Sequence, residues 1–366
     1  MTTRRTFLGG SAGVLSGIAF VGCDLRAAGT AVAAPLRRET IVAGKRARVI
    51  DVHAHCAVPE AMALMGLKLG GPILRPDLDV AMTAAERIAV MDEQGIDVEA
   101  ISINPYWYQA ERDLASQLIR MQNEALAHLC ATHPERFVAY ASVALQYPDL
   151  AAQQLEEGVR KYGLRGAAIG GSVNGEEISA PKFHPFWAKA EELGVLVFIH
   201  PQATGAPREI ARRLEGNGYL DNVIGYPLET TLALSHLIFE GTLDAFPGLK
   251  ICAAHGGGFL PSYAGRSDIG CLTRPDACAG GSYGKIKKKP SEYLRQMYYD
   301  TMVFSPEGVH HLADAVGASQ LMVGTDTPYP WTKTAIETIM ATPDLTDADR
   351  VAILGGTASK LLGIKP

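Results

Sequence analysis

Short apolar, β-branched runs recur along the chain at 49–55, 98–103, 137–143, 164–169, 195–199, 249–254, 297–303 and 321–324. Each is bounded by polar or turn-forming residues, as expected of strands buried on both faces. Between them the apolar positions change to helical spacing, over 84–94, 113–132, 148–162, 183–193, 228–245, 306–316 and 347–362. Gly95, Gly163, Gly194, Gly317 and Gly363 follow five of these segments, and His133-Pro134 and Phe246-Pro247-Gly248 end the other two. Glycine past the last turn, or proline soon after, is the expected helix stop. Eight strands alternating with helices predict an α/β chain folded as a (β/α)8 TIM barrel. An open doubly wound sheet would be marked by Gly-Xaa-Gly-Xaa-Xaa-Gly after its first strand, and none is present. Residues 40–42 and 46–49 flank Ala43-Gly44-Lys45 as a small hairpin leading into the first barrel strand. Long connections at 57–83, 201–227 and 256–289 each follow the carboxyl end of a strand, so they are expected over the barrel mouth, shaping a pocket.

Composition adds little to the fold but narrows the function. The 366 residues are 47% hydrophobic and 20% charged, with a mean hydropathy of +0.06, as in a well-buried globular enzyme. A formal charge of −5 provides no general basic field, which argues against nucleic acid as a partner. The run Lys285-Ile286-Lys287-Lys288-Lys289 is local and reads as a solvated loop.

Residues 1–34 read as an address, leaving 35–366 as a single barrel domain. Thr3-Arg4-Arg5-Thr6-Phe7-Leu8 resembles a twin-arginine export signal, and the glycine-rich apolar segment 9–22 is too short for a stable membrane span. Ala31-Val32-Ala33-Ala34 before Pro35 offers small residues for cleavage. The expected location is therefore periplasmic or secreted, reached through the twin-arginine machinery. Phe20-Val21-Gly22-Cys23 is a competing lipoprotein-type box that would anchor the chain through an acylated Cys23. Beyond the signal lie Cys56, Cys130, Cys252, Cys271 and Cys278, of which Cys271 and Cys278 are close enough in sequence to bridge a loop.

The candidate chemistry sits at strand ends. In Asp51-Val52-His53-Ala54-His55 a period of two directs Asp51, His53 and His55 to one face. Strand five ends at His200, strand six at His255 and strand eight at Asp326. Four of ten histidines and an aspartate at the same end of one barrel point to a metal site with open positions, as catalysis requires. His255 precedes Gly256-Gly257-Gly258, which serve either a tight loop or a close approach of backbone to ligand. Asp51 either orients a ligand from behind or caps the barrel floor; it is not expected to be catalytic.

Val52-His53-Ala54-His55, Phe198-Ile199-His200-Pro201, Ala254-His255-Gly256-Gly257-Gly258 and Gly324-Thr325-Asp326-Thr327-Pro328-Tyr329-Pro330 resemble the amidohydrolase superfamily. Within it the chain is most similar to the branch of aminocarboxymuconate-semialdehyde decarboxylase and related non-oxidative decarboxylases. The resemblance runs from Val49 to Gly363 and includes Met91-Asp92-Glu93-Gln94-Gly95, His133-Pro134-Glu135-Arg136-Phe137 and Arg274-Pro275-Asp276.

The resemblance implies one divalent ion on His53, His55, His200 and Asp326, with zinc expected and manganese the alternative. It implies His255 as the acid/base. It also implies that Arg266 reaches across a homodimer interface to hold a substrate carboxylate. Binuclear members carry a lysine on strand four, and Leu164-Arg165-Gly166-Ala167-Ala168-Ile169 has none. Two positions depart from the branch. An arginine expected in the loop after strand one falls in register on Asp77, with Arg75 nearby, and Gln202 stands where a tryptophan is expected. The expected activity is metal-dependent decarboxylation of a small, anionic, conjugated or aromatic carboxylate, with its identity left open. The alternative is a lactonase-like hydrolase or hydratase using metal-activated water on the same site.

Overall fold

The computed structural model describes residues 20–21, 37–68, 81–202, 208–279, 281 and 284–365. All eight expected strands form: β1 (Ile50–His55), β2 (Val98–Ser102), β3 (Phe137–Ala139), β4 (Gly166–Gly170), β5 (Leu196–His200), β6 (Lys250–Ala253), β7 (Tyr298–Asp300) and β8 (Leu321–Met322). β1, β2 and β3 pair in parallel, as do β4 through β8 in chain order. Parallel bridges join the two groups. Ala141 pairs with Ala167 on one side, and Asp51 with Val323 and Ala54 with Thr327 on the other. Val52 N donates to Val323 O at 2.9 Å and His55 N to Thr327 O at 2.8 Å, which closes the TIM barrel between β8 and β1.

Several strands end earlier than their apolar runs. The cause is side-chain competition for main-chain donors at the carboxyl ends. Asn123 Oδ1 accepts from Ser142 N at 2.8 Å, just beyond β3. Asp300 Oδ1 accepts from Met302 N at 3.1 Å beyond β7, and Asp51 Oδ1 from Thr325 N at 3.2 Å beyond β8. A hydrophobicity pattern records burial but not such substitutions for ladder bonds.

The strict alternation expected in β1 is also broken. The register with β2 shifts between Asp51 and Ala54, a bulge that turns Val52 and His53 to the same side. Ile50 and Val52 pack in the inner core with Val98, Ala100, Tyr140 and Phe198, and the His53 ring lies 4.9 Å from that of Phe198. Asp51 instead pairs with Glu99, whose carboxylate meets the fully buried Arg87 of the surrounding helix layer at 2.7 Å.

The helices Ala84–Gln94 and Pro306–Val316 match expectation to the residue. Thr83 and Glu86 form a capping box at the first, and Gly95 ends it in the left-handed region at φ 80°. The segment 228–245 is two helices, Gly225–Phe239 and Thr242–Ala245, parted at Gly241. The last helix, 347–362, contains a π turn at Ala352–Gly356. The long connections carry helices of their own: Pro59–Leu64 in the first, Arg208–Arg213 and Leu220–Val223 in the second, and Ala264–Thr273 in the third. The hairpin pairs Thr40–Val42 with Lys45–Ala47. Phe20–Val21 pairs antiparallel with Ala81–Met82. The twin-arginine motif, Cys23, the small residues 31–34, Arg75 and Asp77 lie outside the described residues. No described helix is long and apolar enough to cross a membrane.

Candidate metal centre

The bulge in β1 brings both of its histidines to the mouth, where β5 delivers His200 from its last position. Asp326 arrives on the loop after β8. It is held in the left-handed region at φ 62° while its N–H donates to His53 O at 2.8 Å. Gly324 allows this approach, since a Cβ there would lie 2.7 Å from Cβ of Asp300 and 3.2 Å from that of His53. One ligand atom from each of His53, His55, His200 and Asp326 falls within 4.8 Å of the others, and all four side chains are buried.

The imidazole orientations are fixed from behind. His200 Nδ1 lies 2.8 Å from Pro201 O, an atom that only accepts, so Nδ1 carries the proton and Nε2 presents a lone pair. Ser102 Oγ donates to Ala54 O at 3.1 Å and therefore accepts from His55 Nδ1 at 2.8 Å, which leaves His55 Nε2 facing the centre. His53 Nδ1 donates to Asp300 Oδ2 at 2.6 Å. His53 Nε2 and His55 Nε2 then stand 3.0 Å apart, at 3.3 and 2.9 Å from Asp326 Oδ1. His200 Nε2 is buried with no hydrogen-bond partner. Lone pairs converging in a dry pocket are stable when a cation lies among them, so this donor set fits a divalent ion. The local charges agree in direction. Burial opposes a charge on His53, but the carboxylates of Asp326 and Asp300 outweigh it and lift that imidazole to about 10. Burial holds His55 low, and burial together with its histidine neighbours holds His200 well below its ordinary range. Burial also works against a charged Asp326, yet His53 and His55 keep it well below the usual carboxylate range.

His255 stands beside the cluster without joining it. Its ring is 5.3 Å from those of His53 and His200, and burial together with His53 lowers it to about 4. Its Nδ1 is buried and bonds to no described residue. Asp300 locks the turn, accepting from His255 N at 3.0 Å and Gly256 N at 2.9 Å. The three glycines serve that turn. Their φ values are 62°, 77° and 66°, and added Cβ atoms would strike Val303, Tyr299 and the Pro227 carbonyl respectively. Protein, not ligand space, imposes them.

Arg266 is not brought to this cluster. It is exposed on Ala264–Thr273, a helix with no buried residue, and makes no hydrogen bond or ion pair with a described residue. Asp51 supports the site from behind, accepting from the main-chain N of His53 at 2.9 Å and from the Thr325 hydroxyl at 2.5 Å, and touches none of the ligand atoms. The carboxylate that orients a ligand ring is Asp300, which sequence reasoning missed because it lay inside the apolar run 297–303. Gln202 N donates to Glu229 Oε2 at 2.7 Å and its side chain to Pro105 O at 2.5 Å, so it is tied to the pocket wall. Burial pushes Glu229 up to about 8. Cys271 and Cys278 form a disulfide.

Residues 50–364 match the family model described as Amidohydrolase. The chain is 31% identical over 284 residues to 2-amino-3-carboxymuconate-6-semialdehyde decarboxylase of Dictyostelium discoideum, spanning 76% of each protein. It is 29% identical to gamma-resorcylate decarboxylase of Rhodococcus jostii, over 73% of this chain and 83% of that one. Among solved structures, 5-carboxyvanillate decarboxylase of Sphingomonas paucimobilis superposes with a TM-score of 0.75 at 27% identity, covering 87% of this chain and 99% of that one. A dihydroxybenzoic acid decarboxylase of Polaromonas, solved with manganese and the inhibitor 2-nitroresorcinol, gives 0.72 at 26% identity, over 87% and 97%.

Proposed function

The chain belongs to the amidohydrolase family, in its branch of aminocarboxymuconate-semialdehyde and resorcylate decarboxylases, and from that premise we propose its reaction and the roles of its residues. It is a metal-dependent, non-oxidative decarboxylase of a small aromatic or conjugated carboxylate. The observation that carries this is the convergence of three oriented imidazoles and one carboxylate beside a fourth, differently placed histidine.

We assign a single divalent ion to His53, His55, His200 and Asp326, and zinc as its identity, because imidazole nitrogen and carboxylate oxygen are the ligand types that catalytic zinc takes. Manganese, bound in the Polaromonas enzyme, is the alternative. Such an ion supplies a Lewis acid that binds substrate oxygens and draws electron density from the conjugated system. Asp300 keeps His53 in the ligating tautomer and, through the main chain of His255 and Gly256, sets the distance between ligand and proton carrier. His255, held neutral by burial and by His53, takes a proton from solvent and delivers it to the carbon that bears the carboxylate. The bond to the carboxylate then breaks, carbon dioxide leaves without the electron pair, and that pair restores the conjugation used to form the new C–H bond.

Arg266 is assigned to the anionic group of the substrate in a second copy of the chain. Supporting this, its helix exposes Ile269 at 61% and Leu272 at 73%, adjacent apolar residues at helical spacing suited to a homodimer contact. Export by the twin-arginine route, with 1–34 removed, is supported by the Arg4-Arg5 motif and by a disulfide of the kind that persists in oxidising compartments. The activity is tested by carbon dioxide release from a panel of hydroxybenzoates and dienoates, beginning with 2,6-dihydroxybenzoate. Release from at least one member is expected. Lactone opening without gas from any carboxylate would replace this reading with a hydrolase.

A further inference from the structure

Tyr226 opens the helix Gly225–Phe239 and stands between the two halves of the site. Its ring centroid is 6.1 Å from that of His200, on the metal-ligand side, and 6.3 Å from that of His255, on the proton side. A partly buried phenol normally finds a hydrogen-bond partner. Here the main-chain carbonyl of Tyr226 accepts from Thr230 Oγ1 at 3.2 Å, but its hydroxyl bonds to no described residue.

The surroundings fix the backbone that carries the ring. Thr231 Oγ1 donates to Pro227 O at 2.7 Å and accepts from Phe259 N at 2.8 Å, and Gly258 packs against the same Pro227 carbonyl. The first turn carrying Tyr226 is thereby joined to the turn carrying His255. The two side chains are thus carried on joined turns across the mouth, and the phenol hydroxyl is free to donate.

We propose that Tyr226 is a substrate-binding residue that donates its hydroxyl to the carboxylate of the bound substrate. This rests on the decarboxylase reading above. The carbon that receives a proton from His255 is the carbon that carries the carboxylate, so that carboxylate lies beside His255, where the free phenol also lies. Decarboxylation drains charge from this group, so a bond to it is stronger in the bound substrate than in the transition state. Tyr226 therefore favours the bound acid over the transition state, so its loss raises KM without lowering kcat. The product, which has lost the group, does not use it.

The test is Tyr226→Phe, which keeps the ring contacts and leaves no buried group unpaired. The metal-loaded enzyme is compared with wild type in its affinity for 2,6-dihydroxybenzoate and for the corresponding product, resorcinol, or for whichever panel acid and product wild type binds. Steady-state kinetics and metal content are measured alongside. The acid should bind about ten- to a hundredfold more weakly, the range for a lost hydrogen bond to a charged group. Affinity for the product and metal content should hold, and kcat should rise or at least not fall. Equal weakening of acid and product, no weakening of either, or a fall in kcat at constant KM would each overturn the proposal. Absence of carbon dioxide release by wild type is a different result. It would remove the decarboxylase reading, while the comparison of acid and product would still decide whether Tyr226 holds a carboxylate.

Discussion

The barrel mouth and the helix Ala264–Thr273 both carry residues expected to act on the substrate, yet they are built in opposite ways. At the mouth, His53, His55, His200 and Asp326 are buried, and each imidazole is oriented by a hydrogen bond from behind. The helix bearing Arg266 buries none of its residues. It is held by the disulfide between Cys271 and Cys278 and by Asp268, which accepts from Ser291 N at 2.9 Å and Ser291 Oγ at 2.7 Å. A site completed by one copy of the chain can be preorganised by its own core. A residue that acts in another copy must remain on a surface, where its place is decided only on association.

The sharpest break in this contrast is removal of the centre itself. Exhaustive chelation or Asp326→Ala should reduce carbon dioxide release to background and, by metal analysis, remove the ion, while circular dichroism retains the barrel. His255→Ala should cost about 10²- to 10⁴-fold in kcat, the usual range for a general acid/base, with metal content unchanged. Loss of metal with that variant would place His255 among the ligands. Asp300→Asn should weaken metal affinity by about 10- to 100-fold, as replacement of a group behind a ligand does, measured by competition with a chelator. On the other side of the contrast, Arg266→Ala should raise KM, by no more than about a hundredfold, and leave metal binding untouched. The smallest effect is expected from Cys271→Ser with Cys278→Ser. Metal content should be unchanged, and the double variant should shift the concentration dependence of dimer formation in sedimentation experiments. A strictly monomeric, fully active wild type would remove the contrast altogether.

Much of the site was legible because each ligand ends an apolar run or lies just past one, and period and position along the chain record which end of a barrel strand a residue occupies. Asp300 and Tyr226 were not legible for related reasons. Asp300 lies within an apolar run and becomes terminal only because its own carboxylate captures the main chain of Met302 and ends β7 early. Tyr226 opens a helix in a long connection, where no periodicity assigns it a direction. The shared face expected for Asp51 and His53 failed because a bulge adds one residue to the count.

What the amino-acid sequence determined alone was the alternation of strand and helix, the barrel that follows from it, and the residues placed at strand ends. These depend on local periodicity and on helix stops, which neighbouring residues encode. Tertiary structure alone decided which nitrogen of each imidazole faces the centre and which carboxylate stands behind His53. It also decided that Gly256, Gly257 and Gly258 answer to Val303, Tyr299 and Pro227. Those outcomes depend on atoms brought together from distant parts of the chain, and only the closed barrel sets their separations.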